Sequence, residues 1–159
     1  LLGGDAGARA HAVAHCCRAK ARIVAEDETE SGRRQLLNLG HTFAHALESE
    51  AGFSGVLLHG EAVAMGLVWA FELSARLGLA PPGDAARVRA LLAAAGLAVT
   101  PRQALNAEVT ADALLAHMQS DKKVRDGKVT FILARGIGKA FIAGDVMADD
   151  VRAVIADAI

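Results

Sequence analysis

The sequence predicts a mainly α-helical fold, a helical bundle with one small β-hairpin near the C-terminus. Alanine is the commonest residue and the strongest helix former, and it supplies much of the 53% apolar content, whereas aromatic residues contribute only 4%. Apolar residues recur at helical spacing over most of the chain, and the period of strands is found only between residues 128 and 143. We expect the 159 residues to form one domain.

Three helices are predicted in the first half of the chain. The first spans about residues 8–25, and its apolar face includes Cys16 and Cys17 as reduced core thiols. An acidic loop leads into the second helix, at about 33–50. The third, at about 60–77, is apolar on nearly all sides, which is typical of the most buried helix of a bundle.

The second half of the chain begins with a turn that contains two prolines and a glycine. Helical spacing then alternates with loops until the period changes to that of a hairpin. The predicted elements are, in order, a helix at 85–95, a helix from Thr110 or Asp112 to 120, strands at 128–134 and 139–143, and a helix at 148–158.

Charge and hydropathy exclude several classes of partner. With 17 Lys and Arg against 18 Asp and Glu, the chain has no general electrostatic reason to bind nucleic acid or an anionic membrane. We see no apolar run of membrane-spanning length and no signal peptide, so we expect a cytoplasmic protein with no membrane partner. Because the chain begins at Leu1 rather than Met, we expect a fragment of a longer protein.

The richest segment for chemistry lies between Arg34 and His45. On a continuous helix, Arg34, Asn38, His41 and His45 would fall within a stripe of about 60°. The stripe is either the solvated face of an amphipathic helix or a row of residues that bind a ligand. Asn and His are poor helix formers that offer directional hydrogen bonds and metal ligation, which favours the second interpretation.

A further histidine, His59, comes directly before the predicted buried helix. With His41 and a carboxylate it would form the three-ligand open site of a catalytic zinc, and otherwise it is an ordinary loop histidine. Glu61 is either such a carboxylate ligand or a charge that stabilises the N-terminus of the helix, and we favour the second role.

Four motifs resemble the C-terminal domain of the 3-dehydroquinate synthases, at the same order and spacing. They are KARIVAEDETESG at 20–32, LLNLGHTFAHALE at 36–48, LHGEAVAMG at 58–66 and DKK at 121–123. The resemblance covers nearly the whole chain. It implies a lyase that depends on NAD and on Zn²⁺ or Co²⁺, and that converts 3-deoxy-D-arabino-heptulosonate 7-phosphate into 3-dehydroquinate and phosphate. The bound NAD is regenerated in each cycle.

The resemblance also implies roles for individual residues. His41 and His59 match the two histidines that ligate the metal. His45 matches a residue that binds substrate and takes part in proton transfer, and Glu30 matches an acidic residue near the site. The remaining matches bind the anionic groups of the sugar-phosphate substrate, and they are Lys20, Arg34, Asn38, and one of Lys122 and Lys123. We expect Lys20, Arg34 and Asn38 to be catalytic together with His45.

Other parts of the family pattern have no counterpart in this sequence. A glutamate that is the third metal ligand, and the NAD-binding N-terminal domain, precede the region that matches. We therefore expect the chain to be inactive alone, and the intact enzyme to be a homodimer. Two alternatives stay open, namely a related sugar-phosphate cyclase that makes an inosose or a valiolone, and an inert truncated helical module.

Overall fold

The computed structural model describes residues 2–53, 55–105, 108–120, 124–125 and 128–159, which form two compact units, 1–38 and 39–159. It confirms the mainly helical fold with a small hairpin. The helices are α1 (Ala6–Glu26), the 3₁₀ helix η1 (Arg33–Asn38), α2 (His41–Glu50), α3 (His59–Arg76), α4 (Pro82–Ala94), α5 (Pro101–Ala104), α6 (Ala111–Ser120) and α7 (Ala148–Ala156). The strands are β1 (Val124–Arg125), β2 (Lys128–Val129), β3 (Phe131–Ala134) and β4 (Ala140–Ala143).

In the first unit, α1 begins where the Asp5 carboxylate accepts a hydrogen bond of 2.6 Å from the Ala8 amide. None of the residues of α1, all of which the structure describes, is buried. The prediction of core thiols is therefore wrong, since Cys16 and Cys17 are exposed. Val13, on the predicted apolar face, is 63% exposed, so this face forms no core within its unit.

The single helix predicted at 33–50 is also wrong. Its first part is η1, and after a turn at Gly40 the chain starts again as α2. Gly40 has a φ of 80°, a left-handed conformation that interrupts a right-handed helix. The backbones of Gly40 and Gly66 approach so closely that a Cβ on Gly66 would lie 2.2 Å from the Gly40 carbonyl oxygen. This approach brings the start of α2 against α3.

Helix α3 is the most buried element, as predicted, and it begins one residue before the predicted start. Its Trp69 is fully buried and packs edge-on against Phe43 of α2, with ring centroids 5.6 Å apart. Phe43 also packs against Phe131 of β3, with ring centroids 5.5 Å apart. The core of the second unit therefore joins α2, α3 and the hairpin.

The predictions for the second half of the chain are confirmed except at the hairpin and at one short helix. Strands β3 and β4 pair antiparallel with Phe131 opposite Ala143. The beginning of the predicted first strand belongs instead to β2, which pairs with β1. Helix α5 was not predicted. Within the described ranges, no helix is both long and apolar enough to cross a membrane.

Candidate functional site

Three imidazoles form a cluster at the junction of α2 and α3. His41 and His45 lie one turn apart on α2, and His59 is the first residue of α3. The ring centroids of His41 and His59 are 5.4 Å apart, those of His41 and His45 5.8 Å, and those of His45 and His59 6.5 Å. We call these three residues the histidine cluster. The cluster forms where α2, which begins after Gly40, packs against α3.

The rings of His41 and His59 each have an oxygen partner at Nδ1. His41 Nδ1 lies 3.3 Å from the Leu39 carbonyl oxygen, and His59 Nδ1 lies 3.0 Å from Oε1 of Glu48. Both partners are acceptors, so each Nδ1 carries the proton and donates it. The Nε2 atom of a ring with this tautomer holds the lone pair that can bind a metal.

Glu61 caps α3, in agreement with the favoured interpretation. Its carboxylate accepts a hydrogen bond of 3.0 Å from the Leu58 amide, and it lies in the first turn of the helix. A carboxylate at this end satisfies an amide with no partner inside the helix and interacts favourably with the helix dipole.

A second group of predicted site residues lies in the first unit. Glu30 has a φ of 57°, and its carboxylate accepts a hydrogen bond from the Asn38 side-chain amide and lies 3.9 Å from Nε of Arg34. The Arg34 guanidinium donates to the Glu28 carbonyl oxygen at 2.8 Å. The structure thus brings together Glu30, Arg34 and Asn38, three residues that the sequence had selected.

Asp27 organises the loop that carries this group. Its carboxylate accepts hydrogen bonds from three backbone amides, those of Ser31 at 3.0 Å and of Gly32 and Arg34 at 2.9 Å. The amide of Arg34 is the largest cause that holds the pKa of Asp27 below its ordinary value of 3.8. The charged form of Asp27 therefore fixes the backbone from which the Arg34 side chain extends.

The other predicted cations are placed differently. Lys20 is exposed on α1, beside Cys17, Val24 and Glu28. Lys122 and Lys123 lie outside the described residues. The continuous stripe from Arg34 to His45 is wrong as a helix face, because the helix is interrupted at Gly40. Of the four residues in the predicted stripe, His41 and His45 still share one helix face, since both lie within α2.

Sequence reasoning missed Glu48 and a cavity beside His45. The cavity has a volume of about 300 Å³, and its polar lining consists of Thr42, His45, Ser49, His117 and Ser120. Glu48 follows His41 by seven residues and His45 by three, which places all three on one side of α2. That spacing was a signal available in the sequence.

The donor set of the histidine cluster fits a zinc or cobalt ion. On one tetrahedral ion, with Zn–N bonds of about 2 Å, two imidazole centroids lie roughly 5 Å apart. His41 and His59 are at 5.4 Å. Among the described residues, no group of three or more histidines, cysteines and carboxylates is arranged to hold a metal. The rings of His41 and His59 thus have the spacing of two donors to one ion, whereas a catalytic zinc site takes three protein ligands.

Comparison with known proteins decides the family. A family model described as 3-dehydroquinate synthase C-terminal matches residues 2–124. The chain belongs to the 3-dehydroquinate synthase family. A synthase of this name from Rhodospirillum rubrum is 64% identical over 143 residues, which cover 89% of this chain and 37% of the relative. One from Cereibacter sphaeroides is 56% identical over 158 residues, which cover 99% of this chain and 43% of the relative. The chain thus spans about two fifths of these synthases.

Solved structures of two cyclases share the fold of this chain. A 2-epi-5-epi-valiolone synthase from Streptomyces hygroscopicus with NAD⁺ and Zn²⁺ bound matches with a TM-score of 0.80 and 27% identity, covering 95% of this chain and 40% of that one. A 2-deoxy-scyllo-inosose synthase complexed with carbaglucose-6-phosphate, NAD⁺ and Co²⁺ matches with a TM-score of 0.74 and 23% identity. The match covers 92% of this chain and 40% of that one. At this identity, the match to the inosose synthase shows a shared fold alone.

Proposed function

We propose that this chain is the metal- and substrate-binding part of a 3-dehydroquinate synthase, which converts 3-deoxy-D-arabino-heptulosonate 7-phosphate into 3-dehydroquinate and phosphate. The observation that carries the proposal is the pair of His41 and His59, whose rings lie 5.4 Å apart with both Nδ1 atoms facing oxygen acceptors. Relatives of that name at 56–64% identity support this reaction over that of the valiolone synthase, at 27%.

In this proposal, His41 and His59 hold Zn²⁺ or Co²⁺ through Nε2, and NAD binds to a domain outside this chain. When bound, the metal polarises the substrate oxygen and NAD carries the hydride. The intact enzyme is a homodimer, and its third metal ligand is a glutamate that precedes the region covered by this chain.

The residues of the first unit and His45 act on the substrate itself. Arg34 offers a planar guanidinium, which suits the carboxylate or phosphate of the substrate, and Asn38 donates from its amide. Lys20 and one of Lys122 and Lys123 add positive charge for the same anionic groups. His45 faces the cavity and moves a proton as general acid or base, because an imidazole can exchange protons near neutral pH.

The metal assignment is tested by titrating the chain with Zn²⁺ in competition with a coloured chelator. His41→Ala or His59→Ala should weaken binding by at least about 100-fold, because losing a ligand costs more than losing a partner that orients one. His11→Ala, on the surface of α1, is the matched control and should leave the affinity unchanged. Equal affinities in all four proteins would favour the inert module.

The reaction is tested by phosphate release from the heptulosonate phosphate with NAD⁺ and Zn²⁺. We expect no release by the chain alone, and release after addition of the separately expressed N-terminal remainder of the Rhodospirillum rubrum relative. His59→Ala with the same partner should be inactive. Identification of the product by NMR separates 3-dehydroquinate from a valiolone or an inosose, and turnover by the chain alone would contradict an incomplete site.

A further inference from the structure

Glu48 is the residue around the histidine cluster that neither the motifs nor the proposed function explains. Its Oε1 lies 3.0 Å from Nδ1 of His59. The Glu48 side chain is only 16% exposed, whereas that of His59 is 58% exposed. A largely enclosed carboxylate on α2 therefore holds a ring that is otherwise mostly in solvent.

We propose that Glu48 is a positioning residue that fixes the His59 imidazole for metal binding. A carboxylate is an acceptor only, so a hydrogen bond to it places the proton on Nδ1. The lone pair then belongs to Nε2, the one nitrogen left for a metal. The carboxylate also places a negative charge beside a ring that binds a divalent cation. This inference rests on the proposed function only in assigning the metal to that ring.

His59 needs such a restraint because its surroundings provide little packing. It is the first residue of α3, and the side chains of Val56 and Leu58 before it are 60% and 62% exposed. An exposed histidine explores several rotamers, and metal binding would have to select one of them. A hydrogen bond from a partly enclosed partner reduces that cost.

The packing of α2 against α3 places Glu48 where this bond can form. Gly40 meets Gly66, and Glu48 meets His59, so the two helices run in opposite directions. The two contacts are eight residues apart on one segment and seven on the other, which correspond to about 12 Å and about 10.5 Å along a helix. The close approach of the glycines thus sets the register in which the carboxylate reaches the ring.

The first test needs no metal. In the ¹⁵N-labelled chain at mildly alkaline pH, two-bond ¹H–¹⁵N spectra report the tautomer of each neutral imidazole ring. We expect His59 to be protonated at Nδ1 in the wild type and to become a mixture of both tautomers in Glu48→Ala. An unchanged His59 tautomer in Glu48→Ala would overturn the proposal.

The second test measures Zn²⁺ affinity. Glu48→Ala should weaken binding about 10- to 100-fold, as expected when a partner that orients a metal ligand is lost. Glu48→Gln keeps an oxygen acceptor and removes the charge, so its affinity should lie between those of Glu48→Ala and the wild type. Glu50→Gln is the matched control, because Glu50 on the same helix pairs with His117 at 2.8 Å, and it should bind as the wild type does.

The outcomes separate this inference from the proposed function. If Glu48→Gln and Glu48→Ala both lose as much affinity as His59→Ala, the carboxylate is itself a ligand and the positioning role is overturned. Wild-type Zn²⁺ affinity in Glu48→Ala would overturn it as well. If His41→Ala and His59→Ala bind Zn²⁺ normally, the metal assignment fails, and the tautomer of His59 still decides whether Glu48 orients the ring.

Discussion

At the scale of single residues, two glycines determine where the histidine cluster forms. A Cβ on Gly66 would lie 2.2 Å from the carbonyl oxygen of Gly40, which is far shorter than a van der Waals contact. The backbone of Gly66 fixes the position of this Cβ and the oxygen belongs to the backbone of Gly40, so no rotamer change relieves the clash. The separation of α2 and α3, and with it the meeting of His41 and His59, depends on the absence of a side chain here.

We therefore expect Gly66→Ala to lower the free energy of unfolding by about 3 kcal/mol, because two packed helices must move apart. Gly60→Ala is the matched control in the same helix, since a Cβ there has no atom within 4 Å. It should be neutral or stabilise by up to about 1 kcal/mol. Urea titration followed by the fluorescence of the buried Trp69 measures both. Equal stabilities would contradict the role of the close approach.

A second prediction concerns Asp27 and the backbone of Arg34. The pKa of Asp27 is lowered by the Arg34 amide, so its contribution to the folded loop is complete above the ordinary value of 3.8 and is lost as the pH falls through the lower, folded value. The amide proton shifts of Arg34 and Gly32 should titrate with a midpoint below 3.8. In Asp27→Asn this titration should be absent. A midpoint at or above the ordinary value would refute the assignment.

The site residues differ in how far the sequence could predict them. The i,i+4 spacing placed His41 and His45 on one face, and the motif added His59. The Gly40 break was missed because periodicity alone does not show that two backbones touch 26 residues apart. The spacing placed Glu48 on the same side of α2 as the two histidines, but its contact with His59 of α3 could not be predicted. Contacts within one helix could be predicted, and contacts between helices required the packed structure.

At the scale of elements, α3 was predictable because it is apolar on nearly all sides, and the hairpin because its period changes to two. The sequence pattern did not show how α3 and the hairpin contact each other. Ser74 of α3 is fully buried, donates to the Ala70 carbonyl oxygen at 2.6 Å and accepts from the Ala134 amide of β3 at 3.0 Å. A serine in a helix that is apolar on nearly all sides was the available signal for this contact.

Ser74→Ala should destabilise the second unit by about 1–3 kcal/mol, because the Ala134 amide is then buried without an acceptor. Ser120→Ala is a suitable control, since that exposed hydroxyl donates to the carbonyl oxygen of His117 in its own helix. Its effect should stay within about 0.5 kcal/mol. Trp69 fluorescence in urea again provides the measurement, and a neutral Ser74→Ala would show that water reaches the freed amide.

At the scale of the whole molecule, the two units have different sources of stability. The second unit contains the buried core around Trp69, Phe43 and Leu47. In the first unit α1 has no buried residue, so its 21 residues depend on internal hydrogen bonds and on the Asp5 cap. Most helical stability in proteins comes from tertiary packing, so a helix without buried residues is weakly stabilised. The sequence pattern did not distinguish these cases, because an apolar stripe looks the same whether or not anything covers it.

Unfolding in urea should therefore give different transitions for different probes. Circular dichroism at 222 nm reports both units and should show an early phase from α1, whereas Trp69 fluorescence should show one later transition from the second unit. Removal of residues 1–38 should abolish the early phase and leave the Trp69 transition within about 0.5 kcal/mol, as expected for independent sites. Coincident transitions in the full chain, or a Trp69 transition that shifts when residues 1–38 are removed, would contradict separate stabilities of the two units.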